Sequence, residues 1–514
     1  MVIVVVAVAM VCTPVANSFS AGEKEGKILA TATLENVKVD VTDNGNSVTG
    51  CLGDVQISSD PADDEHPTIV KAPDGSYLVA YDRQVSPLEG HVYFMRSTDG
   101  NTWSEIFNTN AGDMASGLQT WPALVVPPGS SNIYGVWDDE AMNYQYVMHA
   151  ADASDPSSWD IGFLDQSGED SDRSGYDIAA INDITWGWCF VGHVEFAGYD
   201  LPSAIEAEFG LGAWDEIAFS WTGDQFFPES HNPDIAATTN NIWLVWDYPT
   251  ESQTEGIGIH WGDPNAEGDI AVWPVTTMES SHNYADPTIG GSGSNLCMVY
   301  MTDDNIYGDW DLACRYSTDE GSTWQDGTFP SMPQVDEKSP EIFMSGSTVF
   351  CAFIRNGNLY LAKSTDLGQT WGDPEQVNTQ DGTVVDEPGS VKLSQAGIVW
   401  VDNRNGNKDI YYAPLPSAII NVDSISGGMG VTATVTNTGT EDGTNVDWSI
   451  ALSGPVFLGK ETTGTIDTLA AGSETTISTG LVFGIGPTTI TVTAGGASKT
   501  ASGFVLGPMV LGVT

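Results

Sequence analysis

Carboxylates close a series of short apolar runs along this chain. Tyr77–Asp82 reads YLVAYD, Tyr134–Asp138 reads YGVWD, Ile242–Asp247 reads IWLVWD and Gly397–Asp402 reads GIVWVD. An apolar run of this length, ending on an acid, is the pattern of a buried strand that delivers one carboxylate to a surface. Asp82, Asp138, Asp247 and Asp402 are therefore the candidate catalytic residues. Glycosidic hydrolysis needs only two carboxylates, ~5–5.5 Å apart for retention or ~6.5–9.5 Å for inversion. The sequence offers many such acids and no means of choosing a pair. For any single one the plain alternative is a solvated surface charge.

Hard oxygen ligands of the kind Ca²⁺ accepts cluster at Asp303, Asp304, Asp309 and Asp311, and again at Glu169, Asp170 and Asp172. Neither cluster has EF-hand spacing. No His/Cys spacing points to zinc, and no Gly-rich phosphate loop or nucleophile elbow is present. No motif requires a cofactor, and Ca²⁺ is the one candidate.

The whole chain has 514 residues, with 16 Lys plus Arg against 70 Asp plus Glu, a formal charge of −54. So acidic a chain will not hold a nucleic-acid backbone or dock on an anionic membrane through basic patches. Disorder is excluded as well, because 41% of residues are hydrophobic and 17 Trp, 16 Tyr and 17 Phe are spread along the chain. Most acids have no cationic partner. Salt would screen that repulsion, since the Debye length falls from ~8 Å at physiological ionic strength to ~3 Å at 1 M. The composition points to a saline or marine setting.

Residues 2–12 (VIVVVAVAMVC) are continuously apolar and are followed by small residues up to Ala21. That length fits a signal-peptide core and falls short of the ~20 residues that span a bilayer. Export to the cell surface or medium is the expectation. An uncleaved membrane anchor, a lipid-modified Cys12 and a pilin-like filament helix are the alternatives. Cys189, Cys297 and Cys351 lie inside apolar strand patterns, where a free buried thiol is the default, and Cys297 faces Cys314 across one hairpin as a candidate bridge.

A repeat organises the middle of the chain. A Pro or Asp precedes an apolar strand at Pro67, Pro122, Asp177, Pro233, Pro287, Pro340 and Pro388, at intervals of 55, 55, 56, 54, 53 and 48 residues. Second strands follow and end at Asp82, Asp138, Asp247, Asp303, Arg355 and Asp402, with the third repeat (to His193) the poorest match. A third strand and a Trp-bearing turn come next. Four short strands per repeat predict an all-β, seven-bladed β-propeller, or six-bladed with an irregular insert. Val55–Ser58 is expected to supply the missing outer strand of the last repeat and close the ring. The expected organisation is a leader or anchor over 1–21, a linker over 22–51, the propeller over 52–416 and a small β-sandwich over 417–514.

The Trp-bearing turns carry a motif. Ser317-Thr-Asp319-Glu-Gly321-Ser-Thr-Trp324 and Ser364-Thr-Asp366-Leu-Gly368-Gln-Thr-Trp371 match Ser-x-Asp-x-Gly-x-Thr-Trp, and Asp99 to Trp103 belong to a copy one residue shorter. The Asp can accept backbone N–H groups within the turn and the Gly permits positive φ. This is the Asp box, and residues 52–416 resemble the sialidase-like BNR-repeat propellers. Residues 417–514 resemble CARDB-type immunoglobulin-like modules of surface proteins.

The resemblance implies that Asp boxes join the third and fourth strands of each blade. The opposite face then gathers the strand-end acids with His66, Arg83, Glu140, His231, Tyr248, His282, Arg355 and Arg404, the candidate ligand-binding residues. Sialidases clamp a substrate carboxylate with three Arg and carry a Phe/Tyr-Arg-Ile-Pro motif. Here the corresponding segment is Glu65-His66-Pro67-Thr68-Ile69, and the chain has only six Arg. The favoured function is an exported, non-catalytic propeller that binds a glycan or a surface protein. A glycoside hydrolase acting through face carboxylates is the alternative, and a pilin-like filament subunit is the second.

Overall fold

The computed structural model describes residues 41–43, 46–48 and 54–514, except 111–113, 115–116, 166–172, 197–198, 212–221, 224–228, 265–273, 419 and 440. Contacts divide the chain into two compact units, whose described parts are chiefly residues 54–414 and 415–514. The N-terminal apolar run, Cys12 and the acids at 169–172 lie outside the described residues. Among the described residues no helix is long and apolar enough to cross a membrane.

The first unit consists of seven four-stranded antiparallel sheets. Their first strands are Asp64–Lys71, Gln119–Val125, Ser174–Ala180, His231–Ala237, Tyr284–Ser292, Glu337–Ser345 and Val391–Ser394. Each first strand packs on the next, and the seventh returns to the first. The ring is closed where expected: Val55 and Gln56 pair with Tyr412 and Tyr411 as outer strand of the seventh sheet, and Ile57 N–H donates to the Ile410 carbonyl at 2.8 Å.

The core is distributed between neighbouring sheets. Phe94, Trp137 and Met148 fill the space between the first and second, Val136, Trp186 and Trp188 between the second and third, and Val79, Val401 and Tyr412 between the seventh and first. Each such side chain contributes roughly 1.5–3 kcal/mol by leaving water. The Asp-box turns serve the same contacts. Asp366 Oδ1 accepts from Thr370 N at 2.9 Å and Trp371 Nε1 donates to the Gly368 carbonyl at 3.1 Å. Asp99 and Asp319 hold their turns likewise. The Trp reaches back to the preceding sheet: Trp103 meets Tyr412 and Trp324 meets Trp243, edge to face, while Trp371 joins the cluster of Cys297 and Cys314.

Three details differ from expectation. The third sheet is a full one, but its second strand continues past His193 to Phe196 and turns into the 13-residue strand Tyr199–Leu211. Its repeat marker is Tyr176 rather than Asp177, because Gly175 (φ 66°) takes the place that the residue before Pro takes elsewhere. Cys297 and Cys314 sit diagonally across their hairpin, opposite Tyr316 and Val299, and are free thiols with Sγ atoms 3.5 Å apart.

Among the described residues of the second unit, those from Ile420 to Leu511 hydrogen-bond into an eight-stranded sheet. The 18-residue strand Ile420–Asn437 makes the continuity, pairing with Glu474–Ser478 along one stretch and with Met509–Leu511 along another. Val431, Val435, Ile450, Ile490, Val492 and Val505 form its core.

Candidate functional site

Six of the seven first strands bulge at the same place. Their ladders slip between Glu65 and Thr68, Thr120 and Ala123, Ser174 and Asp177, His231 and Asp234, Ala285 and Thr288, and Lys338 and Glu341. The bulged residue is left-handed each time: His66 (46°), Trp121 (56°), Gly175 (66°), Asn232 (47°), Asp286 (48°) and Ser339 (50°). Non-glycine residues adopt such φ at a cost of order 1–3 kcal/mol and keep it only where the surroundings fix it. Pro follows in five of the six, at a point where the slipped ladder needs no N–H donor.

Two of the strand-end acids supply the fixing at four of these bulges. Asp82 Oδ1 accepts from His66 Nδ1 of its own sheet at 2.7 Å and from Trp121 N of the next sheet at 3.1 Å. Asp247 Oδ2 repeats the scheme with Asn232 Nδ2 at 2.9 Å and Asp286 N at 2.7 Å. Asp138, fully buried, accepts from Arg173 Nε at 2.7 Å and Tyr176 Oη at 3.1 Å. Asp402 accepts from Arg404, Thr383 and Trp400. Burial pushes Asp138 up to about 7 and Asp247 up to about 6. The four catalytic candidates are thus buried in separate sheets as hydrogen-bond acceptors.

The arginines are engaged one by one. Arg83 forks onto Asp64 at 2.5 and 3.0 Å, Arg355 binds Glu337 at 2.5 Å, and Arg404 binds Asp54 at 2.7 Å and Asp402 at 2.6 Å. No three-arginine clamp forms among the described residues. Tyr248 is buried and donates to Glu279 Oε1 at 2.5 Å, and Glu140 N–H donates to the Leu118 carbonyl. His231 is exposed at the rim, and His282 lies 3.5 Å from Asp303 and 3.4 Å from Asp304.

The Ca²⁺ candidates do not converge: Asp303 accepts from Asn283, and Asp309 from Val335 N. Among the described residues, the one group of three with ligand atoms in mutual reach is Glu65, His66 and Asp82. Its members already have partners, because Lys408 bridges Glu65 and Glu387 and Asp82 contacts the His66 ring.

Inside the ring of bulges lies a central cavity of about 110 Å³, lined by the first strand or bulge of every sheet. The His66 ring stacks on Trp121 with centroids 3.5 Å apart. Gly389 of the seventh sheet faces that pair, and a Cβ there would stand 2.5 Å from the Trp121 ring. One residue past the bulge, side chains cap the next sheet: Thr68 Oγ1 accepts from Leu124 N at 3.3 Å, and Asp234 Oδ2 from Ile289 N at 2.6 Å. At this level Lys392 Nζ bridges Asp177 Oδ1 at 3.1 Å and Glu341 Oε1 at 2.8 Å.

The electrostatics of this axial cluster follow from one cation among four acids. Burial raises Asp234 well above the carboxylate range, and the neighbouring charge of Asp177, to which it donates a hydrogen bond, raises it further. Burial would also raise Asp177, but Lys392 and that hydrogen bond outweigh it and hold Asp177 low. Glu341 is pushed up to about 7 and Asp286 to about 8, mainly by burial. Of this pair, Asp177 is therefore the carboxyl that ionises first, as the partner of Lys392, and Asp234 the later one.

No family model and no curated protein matches the chain. Solved structures do, at low identity. A Penicillium chrysogenum alpha-L-arabinanase complexed with arabinobiose is 15% identical over 70% of this chain and 98% of that one, with a TM-score of 0.38. The GH93 alpha-L-arabinofuranosidase of Fusarium graminearum is 10% identical over 70% and 96%, and the Hadza microbial sialidase Hz136 is 13% identical over 69% and 66%, both again at 0.38. The chain's own ring of sheets makes it a β-propeller.

Asp82 and Asp247 lie beside the bulges that line the cavity, and the axial cluster was not among the candidates read from the sequence. Lys392 was the available signal. It is a lone cation in the first strand of a repeat whose counterparts carry Asp177, Asp234 and Glu341.

Proposed function

We propose that this chain is an exported, seven-bladed propeller that binds a glycan at the mouth of its central cavity without turning it over. One observation carries the reading: each candidate carboxylate and arginine of this face is consumed in a buried contact, while the His66–Trp121 stack and the Asn232, Asp286 and Ser339 bulges line the cavity. An aromatic platform with a few convergent polar groups is the usual composition of a small-ligand site. The surplus of acid disfavours sialic or uronic acids and favours a neutral sugar. The C-terminal module serves as spacer or attachment.

The test is binding of the purified protein to an array of neutral and acidic glycans, alongside a hydrolysis screen on the same sugars. Binding of a neutral glycan that Trp121→Ala weakens at least tenfold, without hydrolysis, is the expected result. Turnover of any of them would refute it.

A hydrolase reading has one specific support. Asp177 and Glu341 both touch Lys392 Nζ, at 3.1 and 2.8 Å, so their contacting oxygens are no more than 5.9 Å apart. One is held ionised and the other is pushed up to about 7. Lys392 between them blocks a sugar from sitting there, so hydrolysis abolished by Glu341→Gln is the result that would favour this second reading.

A further inference from the structure

The C-terminal module has an outer face whose chemistry changes abruptly along its strands. Phe483–Ala494 alternates between buried and exposed positions, and Ala497–Gly507 runs antiparallel to it. Over one half of the exposed face the partners are hydroxylated: Thr489 opposite Ser502, Thr491 opposite Thr500 and Thr493 opposite Ser498. That is how a solvated sheet face reads.

The other half is apolar. Ile485 lies opposite Leu506, Leu506 opposite Met509, and Phe504 opposite Leu511. Leu458 flanks Phe483 on one side, and Met429 flanks Met509 on the other. Ile485 is 60% exposed, Leu506 50% and Met429 82%. The cause is steric. A Cβ on Gly484 would stand 2.5 Å from the Pro455 carbonyl and one on Gly486 2.6 Å from the Pro455 ring, so the glycine side of this strand must face inward and the Phe and Ile outward.

The eight apolar side chains linked by this register present roughly 800 Å², beyond the ~300–600 Å² of the largest patch on a typical monomer. That area matches the ~800 Å² each partner contributes to a standard interface. No charged residue occurs in 427–430, 481–487 or 503–514. Residues 415–514 carry 7 of the chain's 70 acids and 2 of its 16 bases, a net −5, which leaves −49 on the rest. A basic partner would be drawn to those acids and not to this neutral face. Two copies of this chain carry like net charge, and this uncharged face adds nothing to their repulsion. A two-fold contact also needs a self-complementary surface, and an uncharged apolar sheet face is one.

We propose that the apolar half of this face is the interface of a homodimer, two copies packing C-terminal module against C-terminal module. Since the remaining charge opposes approach, salt strengthens the contact by shortening the Debye length.

The experiment is sedimentation equilibrium of the full chain from 1 to 100 µM, in about 0.15 M and 1 M NaCl, beside the Ile485→Lys/Leu506→Lys double variant. The expected result is a species of twice 54.6 kDa, more populated in 1 M NaCl. The double variant should weaken association at least a hundredfold while its thermal transition stays in place, as suits two exposed side chains at the centre of a contact. A wild-type monomer throughout overturns the proposal, as does a variant that still dimerises. Flotation of a monomeric wild-type protein with neutral phosphatidylcholine vesicles, lost in the variant, overturns it in favour of a lipid surface.

Discussion

Replacing Lys392 by Met tests whether the axial cluster is held by charge or by packing. The side chains have similar volume, so the change removes the cation and leaves the channel filled. Asp177 and Glu341 lose the ammonium that now lies 3.1 and 2.8 Å away. Stranding a buried partner of an ion pair costs about 3–5 kcal/mol where the charge must persist. Here it need not persist at low pH, because a carboxyl can take up a proton instead. Without Lys392, Asp177 joins Glu341, Asp234 and Asp286 as a group whose folded pKa lies above its unfolded value. Stability from such a group is fully present below the unfolded pKa and is lost as pH rises through the folded one. The variant should therefore lose about 1 kcal/mol at pH 5 and about 3–5 kcal/mol at pH 8 by urea unfolding. The wild-type protein should itself weaken from pH 5 to 8, as Glu341 (about 7), Asp138 (about 7) and Asp286 (about 8) give up protons. An equal loss at both pH values would show that Lys392 acts by packing. No loss at pH 8 would show that the cluster contributes nothing.

Asp138→Ala should strand Arg173 and cost about 3–5 kcal/mol in urea unfolding while sparing glycan affinity, because the carboxylate lies in the sheet and not at the mouth. Loss of affinity with unchanged stability would place Asp138 at the ligand instead. Burial raises the Cys189 and Cys351 thiols well above their ordinary range, and the hydrogen bond with Cys314, with burial, does so for Cys297, so a thiol-specific reagent should label them only after denaturation. Rapid native labelling of any of the three would contradict the packing described. His66→Ala should weaken ligand binding by about tenfold and also loosen Trp121, visible as a shift in tryptophan emission.

The repeat was legible because its signals are local. Pro67, Pro122 and Pro233 mark the bulges, Asp319 and Asp366 fold turns within a few residues of themselves, and the missing outer strand of the last repeat pointed to Val55–Ser58. What stayed hidden depends on neighbours distant in sequence. Asp82 reads as a free acid until Trp121, 39 residues on, is seen to donate to it. His66, Asn232 and Asp286 carry no mark of left-handed backbone, since the next sheet imposes it. Lys392 needed the ring itself, which brings sheets three, six and seven to one axis.

The closing strand has a consequence in time. Val55 and Gln56 leave the ribosome first among the propeller strands, yet their partners Tyr412 and Tyr411 come last. At roughly 5–20 residues per second, the nascent chain spends on the order of 20–70 s with its outermost strand made and nowhere to pair. Six sheets can stack in that interval, but the circle stays open. Protease resistance of the segment around Val55 in stalled nascent chains should therefore appear only once residue 413 has emerged, after the sheets between have become resistant.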